Sequence, residues 1–244
     1  MLIALDICLI IFFVAVLQSI FGVGVLLVGT PILVLAGYPY FEVLSLTLPT
    51  SMVISISQVS KYYTNINWYL VKKALLFTIP MIPIGMIFAG YLGSSVGIVM
   101  GIFLFFTSFN FIVKKILPPN ASGGRLSAVL FIMGLIHGTT NLGGDILPSV
   151  VNQKCHLKEH KLATTAAIYI MFQITQITFI LIKKYPVDIT KSGICVLIGF
   201  VAYAVVGKKL FQSIKSEGYT KYLRIFIRLV AVMLVTIKIY NLKK

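Results

Sequence analysis

HGTTNLGGDILP, residues 137–148, is a run of small, polar and ionisable residues inside an otherwise apolar stretch of the chain. A bilayer core tolerates such residues only where they face protein or a water-filled cavity. The presence of His137, Asn141 and Asp145 at this depth therefore predicts a functional site, of which this segment forms one half.

The other half is predicted in QSIFGVGVLLVGTP, residues 18–31, where Gly22, Gly24, Gly29 and Pro31 interrupt the first apolar stretch. Interruptions at corresponding places in two halves of a chain indicate the midplane binding site of a secondary transporter. The alternative for the glycines alone is close helix packing, since small residues also let membrane helices approach one another.

The composition is that of a membrane protein. Of the 244 residues, 59% are hydrophobic and only 11% are charged, and the mean hydropathy is +1.00. Soluble domains have roughly twice that charged fraction, so we predict a multi-pass protein of the cell membrane, in contact with the lipid bilayer. The formal charge of +15 comes mostly from short loops beside apolar runs, which fits membrane topology and argues against nucleic-acid binding.

The apolar runs predict an all-α fold of about eight transmembrane helices, because a spanning helix needs roughly 20 mainly apolar residues. The predicted spans are residues 2–21, 43–60, 74–92, 96–113, 126–142, 162–182, 189–206 and 222–240. Two further apolar pieces, 23–37 and 146–151, are too short to cross the bilayer and are predicted to be broken or re-entrant elements.

The order of features repeats along the chain. Each half has a broken segment, then a helix with threonine and glutamine, then a glycine-marked helix, and a shift of 115 residues places Thr50 on Thr165 and Gln58 on Gln173. The sequence therefore predicts two four-helix repeats, at residues 1–117 and 126–244. Proline and glycine pairs mark the predicted connecting loop at 118–125.

Loop cations predict the orientation, because lysine and arginine collect on the cytoplasmic side. With eight spans the N-terminus shares a side with Lys61, Lys72 and Lys73, which predicts a cytoplasmic N-terminus. The second half does not agree, since the same count places Lys158 and Lys208 outside. Either the first half dominates, or one re-entrant piece crosses fully and inverts the second half.

The breaks carry the predicted substrate ligands. Free N–H groups at the start of a short helix have a partial positive charge, which suits a small anion. The ligands predicted from these segments are Gly22, Gly24, His137, Thr139, Asn141, Gly143 and Gly144. Asp145 and His137 are also predicted proton carriers, because ionisable groups are seldom retained in membrane spans without a function.

Polar side chains on the following helices extend the predicted site. Thr50 and Ser51 lie on the first of these helices, and Thr165 and Gln173 lie on the second. Further polar candidates on the same two helices are Thr47, Ser55, Gln58, Thr164 and Gln176. These groups line the cavity opposite the breaks, or they serve only as hydrogen bonds between helices.

A metal centre or cofactor is not predicted. Cys155, His156, Glu159 and His160 form one cluster of potential metal ligands, but lysines crowd it and no second ligand pair occurs elsewhere. The chain has no phosphate-binding loop and no serine nucleophile elbow, so neither ATP-driven transport nor enzymatic activity is expected from it.

The segment QSIFGVG with Pro31, followed by Thr50-Ser51 and later by His137-Gly138 and Gly143-Gly144, resembles the sulfite exporter TauE/SafE permease family over nearly the whole chain. The resemblance adds Gln18 and Gly138 to the predicted substrate ligands. It implies a secondary transporter of small anions, typically sulfite, sulfonates and related organosulfur or carboxylate compounds, driven by ion or proton gradients.

Two departures from the family pattern concern the substrate. Members usually have a glycine triplet where this chain has Gly24-Val25-Leu26, and glycine or proline where it has Asp145. A fixed carboxylate repels a dianion, so the departures favour a monoanion, a proton-coupled cycle or a different solute. Two other hypotheses remain at this point: a non-transporting membrane anchor whose glycines only pack helices, and an intramembrane enzyme that uses His137 and Asp145 as acid and base.

Overall fold

The computed structural model describes residues 5–108, 123–143 and 146–219, together with 221–223, 225 and 232. Within these residues the regular structure is entirely helical, as predicted. Most of the predicted loop at 118–125 and of the last predicted span lies outside the described residues, as do Gly144 and Asp145. The predicted count of eight spans and the predicted repeats therefore stay predictions.

The helices of the first half follow the predicted apolar runs, with one division. In order they are α1 (Leu5–Phe21), α2 (Val25–Leu35), α3 (Tyr40–Tyr62), α4 (Trp68–Phe77), α5 (Met81–Leu92) and α6 (Val96–Ser108). The first turn of α2, Val25–Gly29, is a π-helix, and the short helix that follows the break is the element predicted there.

The helices of the second half include one long helix, a break, a short helix and a second long helix. In order they are α7 (Gly123–Thr140), α8 (Ile146–Lys154), α9 (Lys158–Ile182), α10 (Ile189–Val201) and α11 (Lys208–Ser213). A π-helical turn, Ala202–Gly207, connects α10 to α11 without a loop.

The predicted span at 74–92 is not one continuous helix. α4 ends at Phe77 and α5 begins at Met81, and Pro80 between them has no N–H with which to continue the helical hydrogen bonds. The Thr78 carbonyl instead accepts the Met81 N–H at 3.1 Å. The Thr78 hydroxyl donates to the Leu130 carbonyl of α7 at 3.0 Å, which holds the break against that helix.

Long apolar helices support a membrane location. Within the described residues, four helical stretches are long and apolar enough to cross a bilayer: Tyr40–Asn65, Met81–Phe103, Lys158–Ile182 and Ile189–Ser213. Gly93, at a φ of 52°, turns the chain between α5 and α6 within the second of them. Large apolar side chains, among them Phe13, Phe88 and Leu197, lie exposed on the outside of the bundle, where acyl chains would cover them.

α1 and α2 form an antiparallel hairpin with the first break at its tip. Gly29 of α2 lies beside Val14 of α1, and Leu33 packs in one cluster with Ile7 and Ile11. α2 therefore returns along α1 to the end of the bundle where α1 begins. The second half is built in the same way, because α8 leads back from the second break to the start of α9.

Among the described residues, most of the basic ones lie at one end of the bundle, where α3 stops and α9 starts. At this end the Asn67 N–H donates to Thr164 Oγ1 at 2.9 Å, and Lys158 Nζ donates to the Phe211 carbonyl at 2.9 Å. We call it the basic end. Its cations are Lys61, Lys72, Lys73, Arg125, Lys154, Lys158, Lys161, Lys208, Lys209 and Lys215.

This arrangement corrects the prediction that the N-terminus shares a side with Lys61. α1 begins at the opposite end, where Ile7 packs in one cluster with Val43 near the start of α3 and Cys195 near the start of α10. The prediction was wrong because α2 is a return pass along α1, so two passes precede α3. The conflict between the halves is reduced, since among the described residues each half places most of its loop cations at the basic end. Lys183, Lys184 and Lys191 lie at the opposite end.

The end opposite to the basic end joins the two halves through α3 and α10. Pro49 lacks the N–H that would bond the Ser45 carbonyl, and that carbonyl accepts the Ser192 hydroxyl of α10 at 2.7 Å. Lys191 Nζ lies 3.7 Å from Glu42 Oε1. The Lys191 backbone N–H caps α10 by donating to Asp188 Oδ1 at 2.9 Å, and this bond lowers the pKa of that loop carboxyl.

Three glycines set the contact between α5 and α7. A Cβ atom on Gly138 would lie 2.1 Å from the Ile82 carbonyl oxygen, one on Gly85 would lie 2.4 Å from the Leu135 carbonyl oxygen, and one on Gly134 would lie 2.4 Å from the Thr78 carbonyl oxygen. Only hydrogen fits at these positions, so the two backbones touch directly.

Candidate functional site

The two breaks share one backbone geometry. Gly22 has a φ of 73° and Asn141 has a φ of 61°, and each donates its N–H at 2.8 Å to the carbonyl four residues earlier, that of Gln18 or His137. A residue in this left-handed region ends a helix, and glycine and asparagine adopt it most readily. The geometry therefore follows from the residue types, and it places Gln18 and His137 at equivalent positions before the two breaks.

Gln18 ties the first break to α3. Its Oε1 accepts the Val25 N–H at 3.2 Å, at the start of α2. Its Nε2 donates to the Ser51 carbonyl at 3.0 Å and to the Ser51 hydroxyl at 2.7 Å. Gln58, which lies about two turns after Ser51 on α3, donates to the Gln18 carbonyl at 3.0 Å. Backbone groups at the break are thus held by the side chains of Gln18 on α1 and Gln58 on α3.

Ser51 also connects this network to the second half. Gln173 of α9 donates its Nε2 to Ser51 Oγ at 2.6 Å. Gln18, Ser51 and Gln173, which were predicted separately from the sequence, therefore lie together in one network, and each is at most 1% exposed.

A second network joins the two breaks directly. Asn141 Nδ2 donates to Thr30 Oγ1 of α2 at 2.9 Å, and Gln176 Nε2 donates to Asn141 Oδ1 at 3.3 Å. Thr30 Oγ1 lies 3.4 Å from Thr47 Oγ1, and Thr47 donates to the Val43 carbonyl at 2.9 Å. Asn141 is thus bonded to the α1–α2 hairpin and to α9 at once.

The two networks lie next to each other because they use the same two helices. On α3, Thr47 and Ser51 are one turn apart, and on α9, Gln173 and Gln176 are one turn apart. We call the combined set the polar seam. Its members are Gln18, Thr30, Thr47, Ser51, Ser55, Gln58, Asn141, Gln173 and Gln176, and all of them are buried.

His137 lies beside the seam in an aromatic setting. Its ring centroid is 4.7 Å from that of Phe172 and 5.8 Å from that of Tyr169, and the side chain is 0% exposed. Among the described residues, neither ring nitrogen has a hydrogen-bond partner in good geometry. The Gln176 side-chain amide lies close to the ring. A Cβ on Gly143 would lie 2.6 Å from His137 Cβ, so the second break closes over this ring.

Several predicted ligands serve the backbone instead. A Cβ on Gly24 would lie 2.4 Å from the Gln18 backbone nitrogen, so Gly24 lets the break fold tightly onto α1. The hydroxyls of Thr50 and Thr139 donate to carbonyls of their own helices, Leu46 and Leu135.

Two more predicted ligands pack helices together. Gly138 lies in the contact between α5 and α7, as described above. Thr165 lies against Gly22, where its Cγ2 is 3.2 Å from the position of a Cβ. The predicted ligands Gly144 and Asp145 lie outside the described residues.

Thr30 is the seam residue that the sequence interpretation did not identify. It stands directly before Pro31 in the first broken segment, and a lone hydroxyl in the run VLLVGTPILV was the available signal. The seam itself contains no charged side chain among the described residues. Nor does the described part of the chain hold a group of three or more His, Cys, Asp or Glu side chains that could bind a metal ion.

One protein-family model matches the chain. The model of the sulfite exporter TauE/SafE family matches residues 7–237, which is nearly the whole chain. The chain belongs to the sulfite exporter TauE/SafE family. Members of this family are membrane permeases that transport anions, and the apolar helices of the chain fit an integral membrane protein. No curated protein and no solved structure matches the chain.

Proposed function

We propose that this TauE/SafE family member is a secondary transporter that moves a small anion, such as sulfite or a sulfonate, by alternating access around the polar seam. The observation that carries the proposal is the 2.9 Å bond from Asn141 to Thr30, which joins the two breaks inside an apolar bundle. Buried carboxamides and hydroxyls are costly in a membrane protein, and their concentration at two opposed breaks is typical of a transport site.

The two helix N-termini beside the seam explain why the proposed substrate carries a negative charge. α2 begins at Val25 next to Gln18, and α8 begins at Ile146 just after the second break. The N-terminus of a helix carries roughly half a positive elementary charge and unpaired N–H groups, which attract an anion without any lysine or arginine. In the proposed cycle the substrate binds at the seam, and His137 and Asp145 carry protons.

Transport in proteoliposomes tests this proposal. Wild-type protein is expected to give saturable uptake of at least one of sulfite, thiosulfate, sulfoacetate or taurine. Gln173→Met removes a seam carboxamide with little change in shape, and we expect about tenfold slower uptake, since losing one buried hydrogen bond costs about 1–3 kcal/mol. The control is Thr175→Val on the same helix, whose hydroxyl bonds the Met171 carbonyl of that helix.

The two variants separate the outcomes. Slow uptake by Gln173→Met with normal uptake by Thr175→Val supports the seam as the transport site. Equal uptake by both variants argues against it. If correctly inserted wild-type protein moves none of these anions, the proposed function is wrong and the anchoring hypothesis takes its place.

The orientation proposed from the fold places the basic end in the cytoplasm, because lysine and arginine collect on that side. The N-terminus then lies outside. In a cysteine-free background, we expect Lys215→Cys to be shielded from an impermeant thiol reagent added to intact cells and Lys184→Cys to react with it. The reverse labelling pattern would restore the cytoplasmic N-terminus.

A further inference from the structure

α4 has one face inside the bundle and one face directed outward. The buried face consists of Leu70, Val71 and Ala74. The outward face changes in character along the helix, from aromatic to cationic to aliphatic. Its members, in order from the basic end, are Trp68, Tyr69, Lys72, Lys73, Leu75 and Leu76. We call this set the outward face of α4.

The order of these side chains is the order of the layers at a membrane surface. Tryptophan and tyrosine favour the headgroup level, and leucine favours the acyl chains. Lysines between them reach the phosphate level, because long side chains on a helix lean towards its N-terminus, which for α4 is the basic end. The four apolar or aromatic members, Trp68, Tyr69, Leu75 and Leu76, are each more than half exposed. The outward face of α4 therefore fits both the headgroup and the chain of a lipid.

Lys73 is held in place by side chains of two helices. Its Nζ lies 5.8 Å from the ring centroid of Tyr69 and 5.5 Å from that of Phe77, and it donates to Ser127 Oγ of α7 at 3.4 Å. The Ser127 hydroxyl donates in turn to the Gly123 carbonyl at 3.2 Å, so Ser127 accepts from the lysine. A side chain that is already ordered loses less conformational entropy when it binds a ligand.

The charge on the outward face of α4 is not balanced within the described part of the chain. The ion pairs found there use Lys158 and Lys191, and neither Lys72 nor Lys73 forms one. An ammonium group has three N–H donors, and Ser127 takes only one from Lys73. Phosphate oxygens accept strong hydrogen bonds from such cations, so the remaining donors suit a phosphate group.

A second copy of the chain fits this face less well than a lipid does. A symmetric contact would place Lys72 and Lys73 against the same two lysines of the other copy. An acidic surface to pair with them is scarce, because the chain has 21 lysines and arginines and only 6 acidic residues. An anionic phospholipid supplies the opposite charge together with an apolar chain.

We propose that the outward face of α4 binds an anionic phospholipid. The lipid phosphate lies against Lys72 and Lys73, where it connects α4 to α7 through the bond from Lys73 to Ser127. One acyl chain lies along Leu75 and Leu76. The inference does not depend on the transported substrate, so it is tested separately from the proposed function.

The fluorescence of Trp68 tests the inference, because Trp68 is the only tryptophan in the chain and reports on this face alone. The full chain is reconstituted in phosphatidylcholine bilayers that contain increasing fractions of a brominated lipid, whose bromine quenches a tryptophan that it touches. Brominated phosphatidylglycerol is compared with brominated phosphatidylcholine. We expect phosphatidylglycerol to reach half-maximal quenching at a fraction about fivefold lower or less, since one lysine near the surface provides that factor. Equal quenching curves would overturn the inference.

A matched pair of variants assigns the preference to this face. Lys72→Gln with Lys73→Gln should bring the preference for phosphatidylglycerol close to unity. The control is Lys208→Gln with Lys209→Gln, which removes two adjacent, exposed lysines from the same end of the bundle and should keep the preference. The single variant Lys72→Gln, at an exposed position, should lower the preference in part even if the double variant does not insert.

The remaining outcomes would contradict the inference. An equal loss in both double variants would assign the preference to the general charge of the basic end. An unchanged preference without Lys72 and Lys73 would place the lipid elsewhere. Weak quenching by both brominated lipids would show that another protein surface, such as a second copy of the chain, covers Trp68.

Discussion

Gly138→Ala is expected to lower the stability of the folded protein by about 3 kcal/mol, at the upper end of the cost of overpacking. The reason is geometric, since the new methyl would lie 2.1 Å from the Ile82 carbonyl oxygen. That oxygen belongs to the backbone of α5 and cannot rotate away. The helices must separate, and the neighbouring contacts of Gly85 with Leu135 loosen with them. Gly138→Leu should prevent folding altogether.

The thermal midpoint of the detergent-solubilised protein checks this result, read by size-exclusion chromatography after heating. A loss of about 3 kcal/mol corresponds to a midpoint lower by roughly 6–12 °C for a chain of this size. Gly101→Ala on α6 is the control, because no atom of the described residues lies within 4 Å of its Cβ position. If Gly138→Ala and Gly101→Ala have the same thermal midpoint, the packing of α5 against α7 does not depend on direct backbone contact.

The two residues of the motif His137-Gly138 have different roles. From sequence, both residues were predicted to bind substrate, His137 because it lies in a broken membrane segment and Gly138 through the family resemblance. In the structure, Gly138 packs α7 against α5, and His137 lies beside the seam. A glycine that packs two helices together and a glycine that binds substrate both occur among apolar neighbours, so the sequence could not distinguish the two roles.

Local features were predictable because local physics determines them. Glycines in apolar runs predicted the breaks, and Gly22 does adopt the left-handed backbone that ends α1. At the second break Asn141, which was predicted as a ligand, adopts that backbone. Glutamines in the spans predicted buried hydrogen bonds, and Gln18 and Gln173 make them. Chain direction was not predictable in this way, because whether α2 returns along α1 depends on contacts such as Gly29 with Val14.

Asn141→Gly is expected to reduce transport on the order of 100-fold or more with the fold retained. Glycine keeps the φ of 61° without strain, so the second break can form as before. The carboxamide is lost, however, and with it the bonds to Thr30 and Gln176. Each partner left unpaired in the interior costs about 1–3 kcal/mol, and the two losses together account for the expected factor.

Asn141→Leu provides the comparison, because it removes the same bonds and adds backbone strain at a positive φ that branched side chains avoid. It should lower the thermal midpoint as well as transport, whereas Asn141→Gly should lower transport far more than stability. Uptake and the thermal midpoint are measured on the same preparations of both variants. Normal uptake by Asn141→Gly would mean that the link between the breaks is not used in transport. A simple loss of folded protein in both variants would assign Asn141 to the scaffold, and the seam would then have to work through Gln18, Ser51 and Gln173 alone.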